Sequence, residues 1–182
     1  MGKRSSFPRR PMDDYETPEA AVIPLLPFLN GSKTYAEPCA GRGKLIGHLA
    51  KHGMRCVLAC ETRTDLKAMN GYKVLYSIDA LSLTRTDLAK ADIICTNPPW
   101  TRELLHPLIW HFMKLKPTWL LFDADWAHTQ QARPLIVHCE KIVSVGRVQW
   151  MEGSGATGLD NAAWFLFDAR SIGLPVFHPR MA

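Results

Sequence analysis

TYAEPCAGRGKLIGHL, Thr34–Leu49, is the stretch on which the fold turns. A short apolar run, Thr34 to Glu37, reads as a strand that ends in an acid. A turn carrying Gly41 and Gly43 follows, and a helical pattern then runs from Lys44 to His52, where Gly53 stops it. Glycine at 41 and 43 lets the backbone come close to a ligand, because no side chain blocks the approach. The helix start then faces that ligand with unpaired N–H groups. Dinucleotide-binding folds hold pyrophosphate in this way. Here an acid precedes the turn. Glu37 would repel a diphosphate, but it can pair with the cationic part of an amino-acid cofactor, which favours S-adenosylmethionine over a dinucleotide.

Outward from this stretch, strand-like and helix-like segments alternate. Upstream, Pro18 to Leu29 predicts a helix that Pro24 and Pro27 must kink or shorten. Downstream, the strands expected are Cys56–Cys60, Lys73–Tyr76, Asp92–Thr96, Trp119–Phe122, Lys141–Gln149 and Ala162–Phe167. The helices expected are Asp65–Asn70, Arg102–Lys114 with Pro107 inside it, and Trp126–Cys139 with an interruption near Pro134. Such alternation predicts an α/β fold: a mostly parallel seven-stranded sheet with helices on both faces. The last two strands have no helix between them and predict an antiparallel C-terminal pair, joined by the Gly-rich stretch Gly153–Gly158. The tail Val176–Ala182 reads as an extended surface segment. Residues 15–182 are expected to form one domain, preceded by a basic arm, 1–14. Lys3, Arg4, Arg9 and Arg10 in that arm suit either a solvated tail or a contact with phosphates.

Three further signals lie at expected strand ends. Glu61, with Thr62 beside it, follows the second strand about 20 residues past the glycines, where an acid can accept hydrogen bonds from ribose hydroxyls; a helix N-terminal acid before Asp65 is the alternative. Asp79-Ala80 follows the third strand, where a carboxylate can accept from an adenine amino group or simply sit in a loop. Asn97-Pro98-Pro99-Trp100 follows the apolar strand DIICT and carries the most specific chemistry. An amino nitrogen conjugated to a ring or carbonyl is a poor nucleophile, since its lone pair is delocalised. The Asn97 side-chain oxygen and the Pro98 carbonyl can each accept one of its N–H groups, aim the lone pair and stabilise the positive charge that develops. Pro98 and Pro99 stiffen the loop. Trp100 offers a flat face for a planar substrate.

On these residues the chain resembles class I S-adenosylmethionine-dependent methyltransferases, a Rossmann-like family, and within them the amino-methyltransferases with an Asn/Asp-Pro-Pro-aromatic motif. The likeness runs from Tyr15 to Asp168. It implies that Tyr15, Glu16, Thr17 and Pro18 belong to the segment that closes over the methionine moiety in DNA adenine methyltransferases. It places Glu37, Pro38, Cys39, Ala40, Gly41, Arg42 and Gly43 in the cofactor motif, Glu61, Thr62, Asp79, Ala80 and Asn97 around the nucleoside, and Asn97–Trp100 at the catalytic position. The order of the motifs is that of Dam-like and γ-type enzymes, and the layout is similar to small phage and prophage methyltransferases. That implies N6 of adenine in DNA as the target, with nucleic acid as the partner. The chain departs from site-specific DNA methyltransferases in having no room for a sizeable target-recognition region. Thr101–Leu105 and Val148–Asn161 are the candidate stretches, with Asp125-Trp126 and Trp150 as possible flanks of the substrate. RNA bases, protein glutamine and a non-catalytic subunit of this fold are the competing readings.

Composition constrains the rest. The 182 residues are 47% hydrophobic and 21% charged, an ordinary balance for a folded chain. A net charge of +5 is compatible with nucleic acid and with many small substrates. Cys39, Cys56, Cys60, Cys95 and Cys139 form no CxxC pair and read as reduced core residues; no metal is expected from them or from the seven histidines. No apolar stretch follows the charged start MGKRSSFPRRP, and runs such as TWLLF are too short to span a bilayer, so a cytoplasmic location is expected.

Overall fold

In the computed structural model, which describes residues 15–69, 71–150, 158 and 160–180, each strand follows from an apolar run. They are β1 (Thr34–Glu37), β2 (Arg55–Glu61), β3 (Leu75–Tyr76), β4 (Ile93–Thr96), β5 (Thr118–Asp123), β6 (Cys139–Gly146), β7 (Ala162–Phe167) and β8 (Val176–His178). They form one sheet in the order β3-β2-β1-β4-β5-β7-β6-β8. The first five run parallel, and β7 is antiparallel to both β5 and β6. This is the α/β architecture the sequence predicts, with one correction: the sheet has eight strands. Val176–His178 pairs parallel with Lys141–Val143 instead of lying free on the surface.

The central strands are mostly apolar because both faces of the sheet are covered. Period-two alternation sorts their side chains. Tyr35, Cys95, Trp119, Leu121, Trp164 and Leu166 pack on one face against Ala21, Val22 and Leu25 of the N-terminal segment and Leu45 and Leu49 of α2 (Lys44–Ala50). Ala36, Ile94, Leu120, Phe122, Phe165 and Phe167 pack on the other against Leu105, Leu108, Ile109 and Phe112. Those four belong to α3 (Arg102–Leu115), whose apolar residues recur at helical spacing and which runs unbroken through Pro107. Phe122 and Phe165 stack there at 4.2 Å between ring centroids.

Helices elsewhere are shorter than expected. Upstream of β1, α1 spans Glu19–Val22 and passes into a 3₁₀ turn, Ile23–Phe28, because Pro24 and Pro27 supply no N–H for the α pattern. The Trp164 indole N–H donates to Ala21 O at 2.7 Å, both groups buried, and pegs this segment to the sheet. The helix expected at 65–70 is absent over 65–69, with Asn70 outside the described residues. Only Leu66 of that stretch is buried, so no apolar stripe holds a helix to the core. Trp126–Cys139 is divided into 3₁₀ turns at Ala124–His128 and Gln130–Ala132 and a short α4 (Arg133–Ile136), after which Cys139 begins β6. The basic arm, 1–14, and most of the Gly-rich stretch, 151–157, lie outside the described residues. Among the described residues no helix is long and apolar enough to cross a membrane.

Candidate active site

Parallel strands bring their C-terminal ends to one edge, where ligands of open α/β sheets bind. Glu37, Glu61 and Thr96-Asn97 therefore meet at that edge from β1, β2 and β4. The glycine turn after β1 takes left-handed backbone angles, φ +53° at Gly41 and φ +85° at Gly43. Its conformation is held from all sides. Ala40 N–H donates to Cys60 O, Met69 N–H to Arg42 O, and Gly41 N–H to Glu61 Oε2 at 2.9 Å. Glu61 Oε1 accepts from Arg63 N–H at 3.1 Å. Glu61 thus buttresses the turn as well as facing the cavity, and it caps no helix. Cys39 N–H donates to the buried Thr96 hydroxyl, tying the turn to the strand that delivers Asn97.

Glu37 is 2% exposed, and its Oε2 has no hydrogen-bond partner. Burial first, and the nearby Glu61 carboxylate second, push its carboxyl well above the ordinary range. The Asn97 amide is fixed at both ends. Its Nδ2 donates to Tyr15 O at 3.4 Å, and its Oδ1 accepts from the Trp100 indole N–H at 3.0 Å.

Two hollows adjoin these groups. The larger, about 330 Å³, is bordered by Tyr15, Pro38, Cys39, Gly41, Glu61, Thr62, Asp79, Ala80, Asn97 and Pro99, with Leu66, Leu81, Leu104 and Leu108 as apolar wall. The smaller, about 30 Å³, lies among Tyr15, Thr17, Glu37, Cys39, Ala40, Gly41 and Asn97, with Glu16, Arg42 and Lys44 at its side. Asp79 also caps the turn after it, accepting from Leu81 N–H at 2.9 Å.

Four residues expected at the site border neither hollow. Pro18 precedes α1, Gly43 caps α2, and Pro98 is buried. Trp100 turns its indole N–H to Asn97 and meets the Trp150 ring edge-on at 5.3 Å, so its face is not a wall of the cavity. Trp126, a candidate flank of the substrate, is a core residue, 3% exposed, with its indole N–H on His106 Nε2 at 2.9 Å. That bond requires His106 Nε2 to be unprotonated, and burial, with Arg102 nearby, lowers the imidazole pKa in the same sense. Sequence reasoning passed over Thr96, the leucine wall and Lys44; only the Leu104/Leu108 spacing carried a signal. Among the described residues no group of three acids, cysteines or histidines is gathered for a metal.

No protein-family model and no curated protein matches the sequence. Solved structures do match. A protein assigned as an RNA methyltransferase from Pyrococcus horikoshii superposes with a TM-score of 0.56 at 16% identity, covering 94% of this chain and 93% of that one. A protein assigned as a class I S-adenosylmethionine-dependent methyltransferase from Listeria monocytogenes gives 0.56 at 12% identity, over 89% of this chain and 65% of that one. The type I restriction-modification methyltransferase subunit from Streptococcus thermophilus gives 0.57 at 9% identity, over 91% of this chain and 47% of that one. The fold is the Rossmann-like fold of the class I methyltransferases.

Proposed function

We propose that the chain is an S-adenosylmethionine-dependent methyltransferase acting on an amino nitrogen, with N6 of adenine in DNA as its target. One observation carries the reading: Asn97 borders both hollows together with Gly41, so the Asn-Pro-Pro-Trp amide stands where the glycine turn meets the wider cavity. The residues present fit the cofactor. Glu37 brings a buried, unpaired oxygen to the smaller hollow, an acceptor for an α-ammonium. A Cβ on Gly41 would meet nothing within 4 Å, so the turn leaves space in front of it. Glu61, Thr62 and Asp79 offer polar partners for a nucleoside, and Leu66, Ala80 and Leu81 offer an apolar wall. When bound, S-adenosylmethionine supplies a methyl group activated by its sulfonium.

The chain's own residues do the remainder. Asn97 Oδ1 has two lone pairs; the Trp100 indole takes one, leaving the other for a substrate N–H. The motif's second acceptor is the Pro98 carbonyl; Pro98 borders neither hollow in the free protein, so the carbonyl must turn to the cavity when substrate binds. Together the two acceptors orient the amino group and stabilise the charge it gains. A DNA target is supported by the order of the motifs and by the restriction-modification neighbour. A base in RNA is the second reading, favoured by the matched length of the Pyrococcus neighbour.

The test is incubation with methyl-labelled S-adenosylmethionine and separate pools of unmodified DNA, RNA and protein, followed by digestion and mass spectrometry. The expected product is N6-methyladenine in DNA, lost in Asn97→Ala. Label confined to protein glutamine overturns the substrate and keeps the mechanism; no label in any pool overturns the activity.

A further inference from the structure

Trp150 borders neither hollow. It stands on the run that leaves β6, just past the buried Val148. Trp150 and Trp100 both pack against the sheet face that carries Cys95, Trp119 and Trp164. Two neighbours seat the Trp150 ring. On one side is Gly158, whose N–H donates to Val148 O at 2.9 Å. A Cβ on Gly158 would lie 2.9 Å from Trp150 Cδ1 and 3.2 Å from Val148 O. The glycine is therefore what lets the ring lie so close to the returning chain. On the other side is Trp100. The two rings meet at 5.3 Å between centroids with 87° between their planes, the edge-to-face arrangement that aromatic pairs favour.

Trp100 in turn donates its indole N–H to Asn97 Oδ1 at 3.0 Å. That bond decides which end of the amide faces which way. A primary amide turned end over end fills the same space but exchanges an acceptor for a donor. Turned over, Asn97 would set its NH2 against the indole N–H, donor against donor. The opposite tie, from Nδ2 to Tyr15 O, is 3.4 Å long and the weaker of the two. The orientation that offers an oxygen to a substrate N–H therefore depends on where the Trp100 ring edge lies, and Trp150 abuts that ring.

We infer that Trp150 is a positioning residue for methyl transfer: its ring, seated against Gly158, sets the Trp100 ring so that the indole N–H keeps Asn97 Oδ1 in the accepting orientation. The inference rests on the proposed chemistry at Asn97 and deepens it. It gives the connection between β6 and β7 a part in the reaction that does not run through contact with cofactor or substrate.

Two measurements on the full chain test it, with thermal melts to verify folding. The first needs no ligand. With isotope-labelled indole nitrogens, the Trp100 resonance is picked out from those of the six tryptophans by its loss in Trp100→Phe. In Trp150→Leu the Trp100 indole proton should exchange with water severalfold faster. Trp150→Phe, which keeps a ring, should stay near wild type, and Gly158→Ala should follow Trp150→Leu. The second is the kinetics of methyl transfer to unmodified DNA. In Trp150→Leu kcat should fall roughly 2- to 10-fold, the scale of one aromatic pair, with KM for DNA and Kd for S-adenosylmethionine unchanged. Added to Trp100→Phe, the same substitution should cost nothing further, because the link is already cut. A folded Trp150→Leu with wild-type kcat overturns the inference. So does a loss carried by KM, or a full additional loss in the Trp100→Phe background, since either means that Trp150 meets the substrate itself. If Trp150→Leu does not fold, Trp150→Phe and Gly158→Ala decide by the same two readouts. Wild type that labels RNA in place of DNA overturns the DNA target alone, and the kinetics are then read on RNA. Wild type that labels neither overturns the proposed activity and this inference with it.

Discussion

Replacing Glu37 by Gln should weaken cofactor binding while sparing, or even raising, the stability of the ligand-free protein. The side chain is 2% exposed, its Oε2 is unpaired, and burial next to Glu61 raises its pKa well above the ordinary carboxylate value of 4.5. A folded-state pKa raised above the unfolded one contributes stability that is complete below the unfolded value and is lost as pH climbs through the folded value. Wild-type stability should therefore fall across that window, and Glu37→Gln, which cannot ionise, should remove that part of the slope. Binding runs the other way. A cationic ammonium pairs with the ionised form, so cofactor affinity of wild type should rise with pH over the same window, with release of a proton, and level off above it. In the Gln variant a charge-assisted hydrogen bond becomes a neutral one. At about 1.5–3 kcal/mol for bonds to charged groups, the loss is about 10- to 100-fold in Kd. The assay is calorimetry in buffers of different ionisation enthalpy, from roughly pH 5 to 9, with thermal melts of the free protein across the same range. A Gln variant that binds as tightly as wild type throughout, or whose melting temperature falls with pH as steeply, refutes the assignment of Glu37 to the ammonium.

Other expectations follow from single contacts. Trp100→Phe keeps a ring but removes the indole N–H from Asn97 Oδ1; turnover should drop about tenfold, the scale of one lost hydrogen bond, with cofactor affinity unchanged by calorimetry. Gly43→Ala forces a side chain into φ +85° and places its Cβ 3.4 Å from Ile46 Cδ1; denaturant titration should show a loss of about 1–2 kcal/mol. Trp164→Phe leaves the buried Ala21 carbonyl without its 2.7 Å donor. A loss of about 1–3 kcal/mol is expected in the same measurement, together with weaker cofactor binding, because the peg holds the segment that carries Tyr15 and Thr17.

The sheet was legible because its strands are apolar runs punctuated by acids or glycines. β7 coincides with its expected span, Ala162–Phe167, and the acids that end β1 and β2 mark the active edge. The strand Val176–His178 escaped notice because it is short, lies between Pro175 and Pro179, and leaves Val176 and Phe177 exposed at the sheet's rim. Trp126–Cys139 reads as a helix interrupted near Pro134 because its composition suits helix; in space two 3₁₀ turns precede a short α4 that carries Pro134 near its start, so the break falls before the proline. The position of Asn97, Gly41 and Glu37 at strand ends beside the hollows was legible. The orientation of Trp100 was not, because sequence says that an aromatic ring is present and not which edge it turns to its neighbour. Glu16's contacts with Arg42 and Lys44 span the distance between two loops and have no local pattern.

The strand order β5-β7-β6 bears on how the chain is made. β7 lies between two strands translated before it, so β6 has no place on the growing sheet until β7 arrives. β7 also delivers Trp164, which reaches back 143 positions to Ala21. A nascent chain that has emerged only as far as residue 150 holds the glycine turn, Glu37, Glu61 and Asn97, yet lacks the contact that seats the segment in front of them. Completion of the pocket is thus coupled to synthesis of β7, and a product terminated before it carries the motifs without the finished site.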